Sequence, residues 1–341
     1  MMLFGKKNQK AVAGEPNSAS SRTARERAAR KRGGDSIVDV TAVPREDAPD
    51  PVAARVGVPA VLECRGASFA YDGAADGAQV VRDLSFAVRK GEFVAIVGSN
   101  GAGKTTTSKL LNGLLKPSAG EVLVDGVPTV QLRTSELARR VGMLFQNPDR
   151  QICQNTVADE LAFSLRVTGV DPDEAARRVN ALVDEFGFDA QAAPYLLSRG
   201  ERQMLALASV IAAEPEVLIL DEPTCGLDYR ECMDVMARVK ELNKRGTTVV
   251  MITHDMEVAF DFARRVIAMA DGRVVADGAP ETVFRNAAAM EAASLVPPQM
   301  IELSLRLARE PENGRAFAHV ATAYEMVQVL GAAGFRKRKV S

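Results

Sequence analysis

The 341-residue chain has no tryptophan, only two histidines and four cysteines. Each scarcity excludes something. Cys64, Cys153, Cys225 and Cys232 form no C-x-x-C pair, so a structural zinc site is not expected. They read as free thiols of a reducing compartment. An excess of one charge is missing too: 43 Lys and Arg stand against 44 Asp and Glu. A dedicated nucleic-acid binder would carry a basic excess, so no nucleic-acid partner is expected. No run reaches the ~20 apolar residues of a membrane span. The nearest, Leu205 to Leu220, is broken by Glu214, Pro215 and Glu216. After Met1 to Phe4 the chain turns polar at once, unlike a signal peptide. What is present is the composition of a soluble globular protein, 47% apolar and 26% charged. That length suits one large domain with appendages, or two domains.

Residues 1 to about 59 are rich in Ala, Ser, Arg and Pro without apolar periodicity, and read as a disordered basic tail. Arg22 to Arg32 is densely basic, and Arg336 to Lys339 forms a second cluster. Both fit a solvated segment or weak attraction to anionic lipid head groups. Order is expected from Val61. The segments Val61–Tyr71 and Val80–Val88 read as strands joined by a Gly- and Asp-bearing turn. Glu92–Val97, Val217–Leu220 and Thr248–Ile252 are short apolar runs, as expected of buried parallel strands. Glu121–Gly126 reads as a further strand and turn. A helix is expected over Thr105–Leu115, closed by Lys116-Pro117, and another over Glu201–Ala213. Residues 147–195 are helical in pattern, with Asp171 capping a helix that has Pro172 in its first turn. Strands alternating with helices predict a parallel sheet covered on both faces.

The segment Gly98-Ser99-Asn100-Gly101-Ala102-Gly103-Lys104-Thr105 matches G-x-x-x-x-G-K-[ST]. Glycines let successive N–H groups point into one concavity that an anion fills. Lys104 would reach the β- and γ-phosphates of a nucleoside triphosphate, and the Thr105 hydroxyl would bind Mg²⁺. A chance match in a chain of this length is on the order of one in a hundred. Val217–Leu220 then leads into Asp221 and Glu222. Strand carboxyl ends in a parallel sheet face the ligand crevice. Asp221 is therefore expected at Mg²⁺, and Glu222 beyond the γ-phosphate as general base or water-orienting group.

Further residues fall into one pattern, and the sequence resembles an ATP-binding cassette (ABC) ATPase over about residues 60–285. Tyr71 resembles the aromatic that stacks on adenine. Gln146, ending Val141-Gly-Met-Leu-Phe-Gln, resembles the loop glutamine that senses Mg²⁺ and the attacking water. Ser198 and Gly200, within Leu197–Gln203, resemble the ABC signature, and Gly226-Leu227-Asp228 the loop that crosses the dimer interface. His254 resembles the switch histidine. Thr106 follows the phosphate loop and joins the nucleotide contacts. The resemblance implies a P-loop NTPase fold: a RecA-like core, an antiparallel β subdomain and an inserted helical subdomain at about 147–200. It also implies ATP and Mg²⁺ as cofactors, and a head-to-tail dimer that buries two ATPs. Arg199 and Glu201 stand where the family's signature has a glycine and a glutamine.

Phe145–Gln151 and Thr156–Phe163 look like the corresponding segment of energy-coupling-factor (ECF) transporter ATPases. That resemblance implies transport-coupled ATP hydrolysis at the cytoplasmic face of a membrane, for uptake of a vitamin or a metal ion. The partners implied are a second ATPase subunit, an integral membrane subunit and a substrate-binding membrane component. Residues 286–341 would form a small C-terminal helical extension. One helix there would carry Met300, Leu303 and Leu307 on a stripe, and a second, from about Phe317, would carry Val320, Tyr324 and Val327. Such an extension pairs subunits or merely caps the cassette. Two other readings stay open: a soluble ABC ATPase that remodels a ribosome or DNA complex, and a weakly hydrolysing regulatory subunit, motivated by Arg199 and Glu201.

Overall fold

The computed structural model describes residues 58–72, 79–310 and 314–332. The basic tail before residue 58, the turn at 73–78 and the Arg336–Lys339 cluster lie outside the described residues.

Two sheets organise the chain. β1 (Ala60–Phe69), β2 (Val81–Arg89), β4 (Ala119–Val124) and the short β5 (Val127–Pro128) form an antiparallel sheet in the order β2-β1-β4-β5. The second sheet takes β3 (Phe93–Gly98), β6 (Val141–Leu144), β7 (Val217–Asp221), β8 (Thr248–Ile252), β9 (Arg265–Ala270) and β10 (Arg273–Gly278). Its order is β10-β9-β3-β8-β7-β6. All its pairings are parallel except β9 with β10, so the expected parallel sheet has one antiparallel edge. β3 shows why it is a central strand. Phe93, Ala95 and Val97 pack into one core layer, whereas Val94 and Ile96 pack into the layer on the other face. Period-two alternation with apolar residues on both faces requires cover on both sides.

The helices are α1 (Lys104–Leu111), α2 (Thr134–Arg140), α3 (Val157–Thr168), α4 (Pro172–Phe186), α5 (Arg199–Ile211), α6 (Tyr229–Lys244) and α7 (Met256–Phe262). α1 is shorter than expected. Gly113, at φ 73°, turns the chain out of the helix four residues before Pro117, and a Cβ there would collide with Leu137. α3, α4 and α5 build a separate apolar layer from Val157, Leu161, Leu165, Val179, Leu182, Leu205 and Ala208. Asp171 caps α4 as expected, accepting from Asp173 N and Glu174 N. α5 faces two ways: Leu205 and Ala208 enter this helical layer, and Ala206 and Leu207 enter the layer on the central sheet. A tilt of α5 therefore cannot be confined to one of them.

A buried ion-pair cluster ties the two sheets together. Arg265 in β9 grips Asp277 in β10 with two hydrogen bonds of 2.6 Å and donates to Ala87 O of β2 at 2.7 Å. Its Nη1 also lies 3.4 Å from Glu92.

Beyond β10 come α8 (Pro280–Arg285), α9 (Ala287–Ala293), α10 (Gln299–Leu307), α11 (Gly314–Phe317) and α12 (Ala323–Ala332). The expected stripes need correction. In α10 the fully buried positions are Ile301 and Ser304, whereas Leu303 is exposed. Ile301 reaches the main core while Met300 and Leu307 pack on Phe317, Val320 and Met326. The helix is wedged between two partners, so its buried face is not one stripe. The second helix does not run from Phe317. It starts at Ala323, and Tyr324 and Val327 point outward.

Candidate functional site

β3, β8 and β7 are neighbours, so the segments after their carboxyl ends meet at one edge of the sheet. After β3 comes the glycine-rich turn. Gly101 and Gly103 sit at φ 87° and 94°, a region that disfavours a side chain. Gly98 is required for another reason: a Cβ would stand 2.5 Å from Met269 O of β9. Lys104 is buried beneath the turn, its Nζ donating to Gly98 O at 2.8 Å and Ser99 O at 3.0 Å. An ammonium has three protons, so one donor stays available to an anion above the loop. Burial pulls the Lys104 pKa down, against the attraction of Glu222 and Asp221. Ala102 N turns inward to Ser99 O, while Asn100, Gly101 and Thr105 are exposed at the rim.

Asp221, at the end of β7, accepts a 3.3 Å hydrogen bond from the Thr105 hydroxyl. Burial pushes its carboxyl above the usual range, with the Thr105 hydrogen bond opposing and the Glu222 charge adding to the rise. A hard oxygen pair of this kind, one carboxylate and one hydroxyl beside a phosphate cradle, fits Mg²⁺. A dication there would also compensate the buried charge.

Glu222 adopts φ 52°, left-handed and sterically costly for a residue with a Cβ. Its N–H is held by Ile252 O at 2.9 Å, and its Oε2 lies 2.7 Å from Nδ1 of His254, just after β8. Glu222 is buried, and the His254 side chain is 58% exposed. A carboxylate only accepts, so Nδ1 donates this hydrogen bond. On the other flank, the Tyr71 hydroxyl lies 3.3 Å from the Thr106 hydroxyl, and its ring meets Phe69 edge-on.

Two of the expected site residues stand apart. Gln146 is exposed at the end of β6, and among the described residues no hydrogen bond joins it to Thr105, Asp221 or Glu222. The residue that pins this loop is Gln151, which accepts from Phe145 N at 3.0 Å and donates to Ala206 O of α5 at 3.4 Å. Gly200 is buried against Glu231, whose carboxyl a Cβ would overlap. Its glycine character is thus explained by the α5–α6 approach, while its amide remains in the first turn of α5.

Ser198 is the N-cap of α5, in a reciprocal capping box with Glu201: Ser198 Oγ accepts from Glu201 N at 3.2 Å, and Glu201 accepts from Ser198 N at 2.8 Å. Glu201 therefore has a local task that sequence reading missed, although S-x-x-E is its signal. Gln203 was also overlooked. It is buried, and its Nε2 donates to Pro223 O at 3.0 Å.

Comparison with known proteins bears on family and fold. The family model for ABC transporters matches residues 81–225. The energy-coupling factor transporter ATP-binding protein EcfA1 of Clostridium novyi is 37% identical over 275 residues, covering 79% of this chain and 97% of that protein. The structure of CbiO1 from Clostridium perfringens, part of the ABC transporter complex CbiONQ, superposes with a TM-score of 0.62 at 30% identity, over 75% of this chain and 98% of that one. A dimeric ATP-binding cassette in a post-hydrolysis state, bound to ADP and Pi, gives 0.59 at 28% identity, over 64% and 98%. The chain spans only 38–44% of the length of other curated relatives, putative ABC transporter ATP-binding proteins.

Proposed function

The chain belongs to the ABC transporter ATP-binding protein family, and from that premise we propose that it is the ATP-hydrolysing subunit of an ECF-type importer. The observation that carries this is the Glu222–His254 contact of 2.7 Å beside the phosphate loop. The loop amides and Lys104 bind the phosphates. Asp221 and Thr105 would hold Mg²⁺, which would supply charge neutralisation at the phosphates. Glu222 takes the proton of the attacking water or orients that water, and His254 fixes the carboxylate's direction. Tyr71 offers its exposed ring to the base, and Gln146 closes on the site when nucleotide binds.

Ser198 and the first-turn amides of α5 would clasp the γ-phosphate of a second subunit's ATP, as the resemblance implies. The ADP- and Pi-bound cassette that this chain resembles in structure is dimeric. The membrane partner would dock beside α3, where Phe163 and Val167 are exposed one turn apart, and near the loop that Gln151 pins. No helix among the described residues is long and apolar enough to cross a membrane. The cassette would occupy 60–285 and the extension 286–341, and the cargo would be a vitamin or a metal ion. The regulatory alternative loses its motive, because Glu201 caps α5 and Arg199 bonds within the chain.

The test is phosphate release from ATP with and without Mg²⁺, alongside mass spectrometry of proteins that copurify from gently solubilised membranes. Mg²⁺-dependent release and a polytopic partner are expected. Copurification with ribosomal proteins or DNA-binding proteins instead would overturn the importer reading.

A further inference from the structure

Arg199 occupies the first turn of α5, at a position where the resembled signature has glycine. Its guanidinium does not extend outward from the helix. Nη2 donates to Cys225 O at 2.9 Å. Its Nε and Cζ stand 2.9 Å from where a Cβ on Gly226 would be, so the guanidinium lies flat on that glycine. Gly226 takes φ 73°, and its lack of a side chain makes the approach possible. Cys225 and Gly226 belong to the six-residue connection between Glu222 and α6. One turn further along α5, Gln203 holds Pro223 O of the same connection. The Pro223–Gly226 stretch leaving Glu222 is therefore held at both its ends by side chains of α5. Glu222 itself is strained at φ 52°, and such a conformation persists only where its surroundings over-determine it.

We propose that Arg199 is a positioning residue that clamps the Pro223–Gly226 connection to α5, so that the helix N-terminus at Ser198 and the carboxylate of Glu222 move as one body. The inference rests on the proposed hydrolytic site and goes beyond it. Arg199 acts inside its own chain and does not serve as a cation for the partner's phosphate. Occupancy of the Ser198 cap by the partner's nucleotide is then transmitted to Glu222 through this contact. A guanidinium gives directed, planar donors, and the hydrogen bond to a carbonyl from a charged donor is the stronger kind.

Two readouts separate the inference from the reading beneath it. The first needs no ATPase activity. Cys225 is half-exposed, Cys153 is exposed, and Cys64 and Cys232 are buried. Burial pushes the Cys64 thiol up to about 12 and raises Cys232 as well. In a Cys153→Ser background, maleimide labelling of the folded protein thus reports Cys225. Arg199→Met keeps the length without the donors, and Arg199→Lys keeps a cation. Labelling should rise about threefold or more in Arg199→Met, the loss expected of one exposed charged hydrogen bond, and stay near the wild-type rate in Arg199→Lys. Equal rates in wild type and Arg199→Met would overturn the clamp.

The second readout is steady-state ATP hydrolysis. Arg199→Met should lower kcat about three- to tenfold with KM within twofold, and Arg199→Lys should restore most of it. A raised KM with kcat unchanged would place the guanidinium on the partner's nucleotide and refute the proposal. If the wild type itself hydrolyses nothing, the hydrolytic reading fails, while the labelling arm still decides the clamp.

Discussion

His254 Nδ1 and Glu222 Oε2 stand 2.7 Å apart although 32 residues separate them in sequence. The contact exists because β7 and β8 are neighbours in register, Asp221 opposite Ile252, so that the residues following each strand end side by side. Glu222 N bonds Ile252 O, which bends the chain away from the strand and sends the carboxylate across to the imidazole. The backbone strain at Glu222 and the side-chain contact are two parts of one arrangement.

Removing either member should therefore affect the chemical step more than binding. Glu222→Gln is expected to lower kcat by about 10²–10⁴-fold, the usual range for a lost general base. His254→Ala should lower it less, since His254 acts through the carboxylate. KM for ATP should move little in both. Gel filtration of Glu222→Gln with Mg-ATP should show a larger species than without nucleotide, because unhydrolysed ATP holds the closed form. No change in size for that variant would count against a nucleotide-bridged dimer.

Much of this site was readable in the sequence. Gly98 to Thr105, Asp221 and Glu222 are contiguous motifs bounded by apolar runs, and the structure puts each at the end of its strand. The parts that were not readable depend on pairing across the fold. β9 begins at Arg265, a charged residue at the head of an apolar run, which is buried where Asp277, Ala87 O and Glu92 receive it. Gln151 and Gln203 are polar residues whose partners are backbone carbonyls and amides, which leave no trace in sequence. The start of α12 was readable and was missed. Thr322-x-x-Glu325 is a capping box, with Thr322 Oγ1 accepting from Glu325 N and Glu325 accepting from Thr322 N. It puts the first helical residue at Ala323, where Phe317 had been expected to begin the helix.

Asp221 and Lys104 carry opposite shifts whose signs predict a stability effect. Asp221 sits above its ordinary value because it is buried. The fold thus favours its protonated form, and this contribution is lost as pH rises from the ordinary carboxylate value through the raised one. Near pH 7 the nucleotide-free protein bears the penalty. Lys104 sits below its ordinary value for the same reason, so its ammonium is disfavoured at pH values below that lowered one. Mg-ATP would supply opposite charge to both. Asp221→Asn keeps an acceptor for Thr105, and without ligand should melt at or above the wild-type temperature near pH 7. Both Asp221→Asn and Lys104→Met should forfeit stabilisation by Mg-ATP. That stabilisation is about 2.7 kcal/mol at a hundredfold excess over Kd, or roughly 5–10 °C. Thermal melts at pH 5 and 7, with and without Mg-ATP, check both halves.

Tyr324 and Val327 lie three residues apart on α12, 68% and 64% exposed, while Met326 on the opposite side is buried with Phe317 and Val320. The helix is therefore already anchored by its inner face, and its outer apolar pair contributes nothing to that packing. An outward aromatic next to a β-branched residue suits contact with the same helix of a second copy. Substituting Tyr324→Glu and Val327→Glu together should leave the melting temperature within about 2 °C, since exposed substitutions usually change stability by less than about 0.5 kcal/mol. It should weaken nucleotide-independent self-association about tenfold or more, because burying two carboxylates against their symmetry copies is strongly unfavourable. Sedimentation velocity across a concentration series measures the change. An unaltered dimer constant would assign the extension to capping the cassette, and would leave the phosphate sandwich as the contact that joins the subunits.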